Sequence, residues 1–179
     1  IAAGGTHNCV VLRGGAVKCW GRNQYGELGA GDTANRGSNA GDMGKLVAVD
    51  LGKGRTARSL GLGYQHSCAV LDDGSVKCWG RNEDGQLGLG DTAHRGDGPG
   101  EMGDKLAAVD LGKGRTAKQV AAGYSSTCAV LDNGQVKCWG KGDDGQLGTG
   151  EASHRGKSAG TMGDTLPAVD LGKGRTAVS

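Results

Sequence analysis

Cys9, Cys68 and Cys128 stand 59 and 60 residues apart, and Cys19, Cys78 and Cys138 keep the same intervals, as do Trp20, Trp79 and Trp139. A period of this length makes the chain an array in which one structural unit is used three times, at 1–59, 60–119 and 120–179. Each unit buries its apolar face against a neighbour. The first two units are identical at 37 of 59 aligned positions. The first lacks one residue after Gly44, where the second has Asp104 and the third Asp164. The closing segment Val49-Asp50-Leu51-Gly52-Lys53-Gly54-Arg55-Thr56-Ala57 recurs unchanged at 109–117 and 169–177. No linker or low-complexity tract separates the units.

Composition says why the repeat is needed. Of 179 residues 38 are glycine, Phe is absent, and Leu, Val and Ile together supply only 29. A chain so poor in large apolar groups does not build one thick core, and borders on disorder. Its net charge of +2 removes the self-repulsion that drives disorder, and does not by itself make a nucleic-acid binder. Glycine does not fall on every third residue, which excludes collagen. No stretch of about 18 apolar residues is present, so no membrane-spanning helix is expected. The sequence starts at Ile1 without Met or an apolar leader and reads as a processed product or an excerpt.

Within the second unit, Ser67–Leu71 reads as a strand, Asp72-Asp73-Gly74-Ser75 as a turn, and Val76–Trp79 as the returning strand. An Asp-Gly or Asn-Gly step between β-formers is the strongest short-range hairpin signal. Asn133-Gly134 and Gly14-Gly15 fill that slot in the other units. A strand at Arg58–Leu62 leads into the hairpin, another is expected at Leu106–Val109, and a long polar loop runs from Arg81 to about Gly103. Glycine is too frequent for helix. The expected fold is all-β: three tandem four-stranded antiparallel blades of the propeller type, an incomplete propeller or a segment of a longer array.

Cys68 and Cys78 lie equally far from the turn centre, so they should face each other across the hairpin, within disulfide range. The expected bridges are Cys9 to Cys19, Cys68 to Cys78 and Cys128 to Cys138. Buried free thiols and zinc are the rival readings; zinc suffers from the absence of close-spaced knuckles and of a fourth ligand. Each bridge would contribute roughly 2–3 kcal/mol in the chain-entropy account. Three bridges imply an oxidising compartment, hence a secreted or cell-surface location.

The run Gly63-x-x-His66-x-Cys68-Ala69-Val70-Leu71-x-Asp73-Gly74-x-Val76-x-Cys78-Trp79-Gly80-x-Asn82-x-x-Gly85-Gln86-Leu87-Gly88-x-Gly90 resembles the repeat of the regulator of chromosome condensation family. The first half of every unit carries it, with Ser126 and Gly142 replacing His and Asn in the third. The resemblance implies a β-propeller, usually of seven blades. It also implies relatives of two kinds, nuclear nucleotide exchangers that dock on nucleosomes and secreted bacterial binders or inhibitors of proteins. The cysteine pairs point to the secreted kind. The nuclear activity is not carried over, because no exchange-loop residue can be matched and disulfides do not persist in the nucleus.

No catalytic constellation, metal site or cofactor is expected. His7 and His66 occupy the family's structural position before the hairpin, and Asn35 replaces His94 and His154 in the first unit. Asp32 and Asp143-Asp144-Gly145 do not follow a calcium-loop pattern. Gly52-Lys53-Gly54-Arg55-Thr56 lacks the order of a phosphate loop. Arg95-Gly96-Asp97 spells an adhesion tripeptide that the other units do not keep. Trp20, Trp79 and Trp139 are expected to pack between blades. Asp50, Lys53 and Arg55, with Asp110, Lys113, Arg115, Asp170, Lys173 and Arg175, are expected to form a periodic band of opposed charges with contacts between neighbouring units. Thr176–Ser179 followed by Ile1–Gly4 would reproduce the pattern of Thr116–Gly123, so further repeats or copies can continue the array as a ring or filament. The reading is a non-enzymatic extracellular repeat scaffold for protein–protein interaction or self-assembly. A lectin-like propeller and a secreted protein-binding inhibitor are the alternatives.

Overall fold

The computed structural model describes residues 1–178. Three antiparallel sheets follow one another along the chain, each of three strands in sequence order. Blade 1 holds β1 (Ala2–Ala3), β2 (His7–Val11) and β3 (Val17–Gly21). Blade 2 holds β4 (Ala57–Leu62), β5 (His66–Leu71) and β6 (Val76–Gly80). Blade 3 holds β7 (Ala117–Ala122), β8 (Ser126–Leu131) and β9 (Val136–Gly140). The sheets therefore begin at 57 and 117, so unit boundaries at 59/60 and 119/120 run through β4 and β7. Each closing segment supplies the entry to the next blade.

The hairpins form as their turns demand. Gly74 donates its N–H to the Leu71 carbonyl at 3.0 Å and sits at φ +80°. A side chain there would also strike Thr116 of the closing segment, as it would at Gly15 against Thr56 and at Gly134 against Thr176. With the turn fixed, register follows: Cys9, Cys68 and Cys128 stand directly opposite Cys19, Cys78 and Cys138. Arg58 and Lys118 are the extra residues of β-bulges at the start of β4 and β7.

Each blade has three strands, not the four expected. Gly80 and Arg95 exchange both backbone hydrogen bonds as an isolated bridge, repeated at Gly21–Arg36 and Gly140–Arg155. Leu106–Val109 is no strand: it makes one ladder bond, from Val109 N–H to the Val76 carbonyl at 2.8 Å. Its entry is set by a 3₁₀ turn at Gly103–Lys105, and it buries Leu106 and Val109. In the third unit Pro167 lacks the N–H a ladder would need there.

The core lies between blades. One cluster joins Cys9, Val17, Cys19 and Leu28 of blade 1 to Leu71, Trp79, Met102 and Leu106 of blade 2. The other joins Cys68, Val70, Val76 and Leu87 to Leu131, Trp139, Met162 and Leu166. Strand β5, covered on both faces, is buried throughout, whereas β2 and β8 alternate along part of their length. Below, the face a blade turns to its predecessor is its leading face, and the other its trailing face.

Candidate functional site

The repeated chemistry of the molecule is the joint between blades. Trp79 on the leading face of blade 2 donates its indole N–H to the Glu27 carbonyl of blade 1 at 3.0 Å. The Ser67 hydroxyl donates to the same carbonyl at 2.8 Å. Its hydrogen thus used, Ser67 Oγ accepts from His7 Nε2, 2.8 Å away. The second joint repeats the network: Trp139 and Thr127 donate to the Gln86 carbonyl at 3.0 and 2.9 Å, and His66 Nε2 meets Thr127 Oγ1 at 2.9 Å. Both histidines therefore carry a proton on Nε2. Burial holds the pKa of His7 down at about 4, and burial with the nearby His7 holds that of His66 at about 3. The His66 ring leans on Gly63, where any side chain would collide with it.

A second layer of the joint uses the closing segment. Buried Lys77 donates through Nζ to the Leu51 carbonyl of the preceding unit at 3.0 Å and to the Gly103 carbonyl at 2.8 Å. Lys137 does the same with Leu111 and Gly163. The Lys53 amide donates to Asp104 Oδ1 at 2.9 Å, and the Lys113 amide to Asp164 Oδ1 at 3.0 Å. Asp72 accepts from Thr56 N–H, and Asp132 from Thr116 N–H. Arg55 pairs with Asp72 and Asp73, at 3.3 and 2.6 Å, and Arg115 with Asp132 at 3.2 Å.

These contacts relocate several residues singled out in the sequence. The contacts between neighbouring units run through the Arg55 and Arg115 ion pairs, the amides of Lys53 and Lys113, and the Asp50 and Asp110 carbonyls, which accept from the Gly103 and Gly163 N–H at 3.0 Å. The Lys53 and Lys113 residues are exposed, and the Asp50, Asp110 and Asp170 carboxylates turn inward on the amides of Gly52, Gly112 and Gly172. Trp79 and Trp139 lie fully buried in joints, but Trp20 is half-buried, since no blade stands before it in the structure. The three cysteine pairs are bridged within their own blades, with Cα atoms 4.1 Å apart. Each bridge lies on the trailing face. Arg95 of the Arg-Gly-Asp run is paired with Asp91, and the Asp97 backbone is pressed against Gly26. His154 lies between Asp84 and Asp143, at 3.4 and 3.2 Å, and His94 packs edge-on to Tyr25. Among the described residues no group of three or more His, Cys, Asp or Glu is placed to hold a metal, and no helix is long and apolar enough to cross a membrane. Shallow clefts of about 330 and 220 Å³ open beside Asp50 and Asp110, one at each joint.

Among the described residues, nothing covers the trailing face of blade 3. Leu171 is 38% exposed, whereas its counterparts Leu51 and Leu111 are 4% and 3% exposed. Cys128, Val130 and Val136 line an apolar pit of about 210 Å³, where Cys68, Val70 and Val76 of blade 2 are buried in core. Tyr124 stacks on Tyr64 with ring centroids 4.5 Å apart and is itself 65% exposed.

Residues 1–27, 57–86 and 117–146 match the regulator of chromosome condensation (RCC1) repeat, and residues 73–130 match it in a second frame, from the hairpin turn of blade 2 into β8 of blade 3. The chain belongs to the RCC1 repeat family. It is 30% identical to the ultraviolet-B receptor UVR8 of Arabidopsis thaliana over 87% of this chain and 44% of the relative. It is 31% identical to the probable E3 ubiquitin-protein ligase HERC4 of Homo sapiens over 95% of this chain and 15% of that one. The chain thus spans less than half the length of either relative. Among solved structures it is similar to yeast RCC1 (Prp20) bound to Kap60, with a TM-score of 0.67 and 22% identity, over 94% of this chain and 36% of that one. This likeness shows the fold, three blades of a β-propeller.

Proposed function

We propose that this RCC1-repeat segment is a non-enzymatic scaffold for protein–protein interaction, in an oxidising compartment outside the cytosol. One observation carries the reading. Both joints are closed by buried donors on one carbonyl, Trp79 and Ser67 on Glu27 and Trp139 and Thr127 on Gln86, so the blades form a stiff array that presents its polar loops to a partner. Yeast RCC1 (Prp20) in complex with Kap60 is a protein-binding member of this fold. The ligase activity in the name of HERC4 stays with that protein, since this chain covers 15% of it. Three disulfides, one within each blade, support the compartment. The sugar-binding alternative loses support, because Trp79 and Trp139 offer no face to a sugar ring.

The test is cross-linking of the assembly that holds this segment in its source. The proposal expects a second protein cross-linked to the exposed loops of the blades. Recovery of the segment with no protein cross-linked to those loops would refute it. Alkylation of the freshly isolated protein should find no free thiol; six reactive cysteines would overturn the compartment.

A further inference from the structure

The hairpin turns of blades 2 and 3 are one turn made from different residues. Gly134, like Gly74, lies at φ +80° and donates its N–H to the Leu131 carbonyl at 3.0 Å, as Gly74 does to Leu71. Asp132 accepts from the Thr116 amide and pairs with Arg115 at 3.2 Å, as Asp72 does with Thr56 and, at 3.3 Å, with Arg55. At the next position the blades part. Asp73 holds Arg55 at 2.6 Å through one carboxylate oxygen and accepts from the Ser75 amide at 2.9 Å through the other. Its counterpart Asn133 keeps only the second bond, from the Gln135 amide at 3.0 Å, and donates its Nδ2 to Gln135 Oε1 at 2.8 Å. Arg115 is thus paired with one carboxylate where Arg55 is paired with two. Asn133 is exposed, and Asn133-Gly134 is the one Asn-Gly step in the chain. Glycine brings no side chain to shield its own nitrogen, so an asparagine before it can reach that nitrogen with its side-chain carbonyl carbon.

We infer that Asn133 is a modification site that deamidates spontaneously, and that the aspartate so formed supplies blade 3 with the ion pair that Asp73 gives blade 2. The Gly134 nitrogen, its proton lost to hydroxide, bonds to Asn133 Cγ. The Cγ–Nδ2 bond breaks, and ammonia leaves with a proton taken from solvent. Water then opens the succinimide ring: addition at Cγ gives aspartate, and addition at the main-chain carbonyl gives isoaspartate. The two products act differently on the turn. Aspartate keeps the backbone, with one oxygen on the Gln135 amide and the other free to meet Arg115, as in blade 2. Isoaspartate puts one more carbon into the main chain, inside the turn closed by the Leu131 N–H on the Gln135 carbonyl. The fold also sets the pace. The attacking nitrogen must first release its bond to Leu131, which should hold the reaction on the order of tenfold below that of the unfolded chain.

The test incubates the full chain, folded and in denaturant with its disulfides intact, in mildly alkaline buffers. Peptide mapping by mass spectrometry that resolves isoaspartate follows each asparagine. Asn133 should convert ahead of every other asparagine, faster as pH rises and more slowly in the folded chain. Exposed Asn39, followed by Ala40, is the internal reference. The aspartate form is also made directly as Asn133→Asp. Its added pair is exposed, so it should lower the unfolding constant about two- to fivefold at low salt and less at high salt. In the presence of Arg115→Met the same change should give no gain, and the isolated isoaspartate form should be less stable than the unaltered chain. Conversion of Asn133 no faster than that of Asn39 in the unfolded chain would overturn the site. A gain from Asn133→Asp that survived Arg115→Met, or no gain at low salt, would overturn the pair.

Discussion

Three tryptophans with the same sequence surroundings should respond differently to the same substitution. Trp79 is fully buried, packed near Gly29, with its indole N–H on the Glu27 carbonyl. Trp79→Ala removes that burial from a site whose walls are pinned by a disulfide and a hairpin, so it collapses little. The expected cost is about 3–5 kcal/mol. Trp79→Phe keeps most of the area and gives up the hydrogen bond. Glu27 still accepts from Ser67, so the carbonyl is not orphaned, and the cost should be about 1–2 kcal/mol. Trp139→Ala should match Trp79→Ala, because its joint repeats the same contacts. Trp20 is half-buried and its indole N–H has no hydrogen-bond partner among the described residues, so Trp20→Ala should cost clearly less, about 1–2 kcal/mol. Guanidinium unfolding followed by circular dichroism, with the disulfides intact, reads all four. Equal costs at the three alanine positions would refute the claim that stability resides in joints, and would place it inside each blade.

Lys77→Met should destabilise by about 2 kcal/mol by losing two bonds from a buried ammonium, while Lys18→Met should be nearly neutral; the same denaturation assay checks the contrast. Acid should loosen the joints. His7 and His66 have folded pKa values of about 4 and about 3, below the ordinary 6.5, so the unfolded chain binds more protons between those limits. Their contribution is complete above pH 6.5 and is lost as pH falls toward 4 and 3, on the order of 4–5 kcal/mol for the pair between pH 7.5 and 4.5. Urea titrations at the two pH values measure it, and a flat profile would mean the histidines are not buried neutral. Under mild reductant, Cys128–Cys138 on the open face should be reduced before the fully buried Cys68–Cys78, as timed alkylation and peptide mapping would show.

The hairpins and cysteine register were legible because a turn with a glycine at positive φ fixes which residues oppose each other, and period-two alternation does the rest. The missing fourth strand was not, since Leu106–Val109 has the composition of a strand and only its neighbours decide that it makes one ladder bond. The joint was half legible. One Trp per unit pointed to packing between blades, and Trp79 and Trp139 pack so, but nothing local names the Glu27 and Gln86 carbonyls that their indoles find. The buried roles of Lys77 and Lys137 have one sequence signal, their fixed place beside Cys and Trp in every unit.

The sequence Val-Asp-Leu-Gly-Lys-Gly-Arg-Thr-Ala occurs three times, so its amides have matched intrinsic exchange rates, and differences report surroundings alone. Hydrogen exchange of the isolated chain, resolved residue by residue by NMR, tests the central claim that a joint is made twice and left open once. The amides of Lys53, Thr56, Lys113 and Thr116, each bonded to a carboxylate of the following blade, should be protected. Those of Lys173 and Thr176, which meet no carboxylate among the described residues, should exchange near the open rate. Equal protection in all three copies would contradict the account.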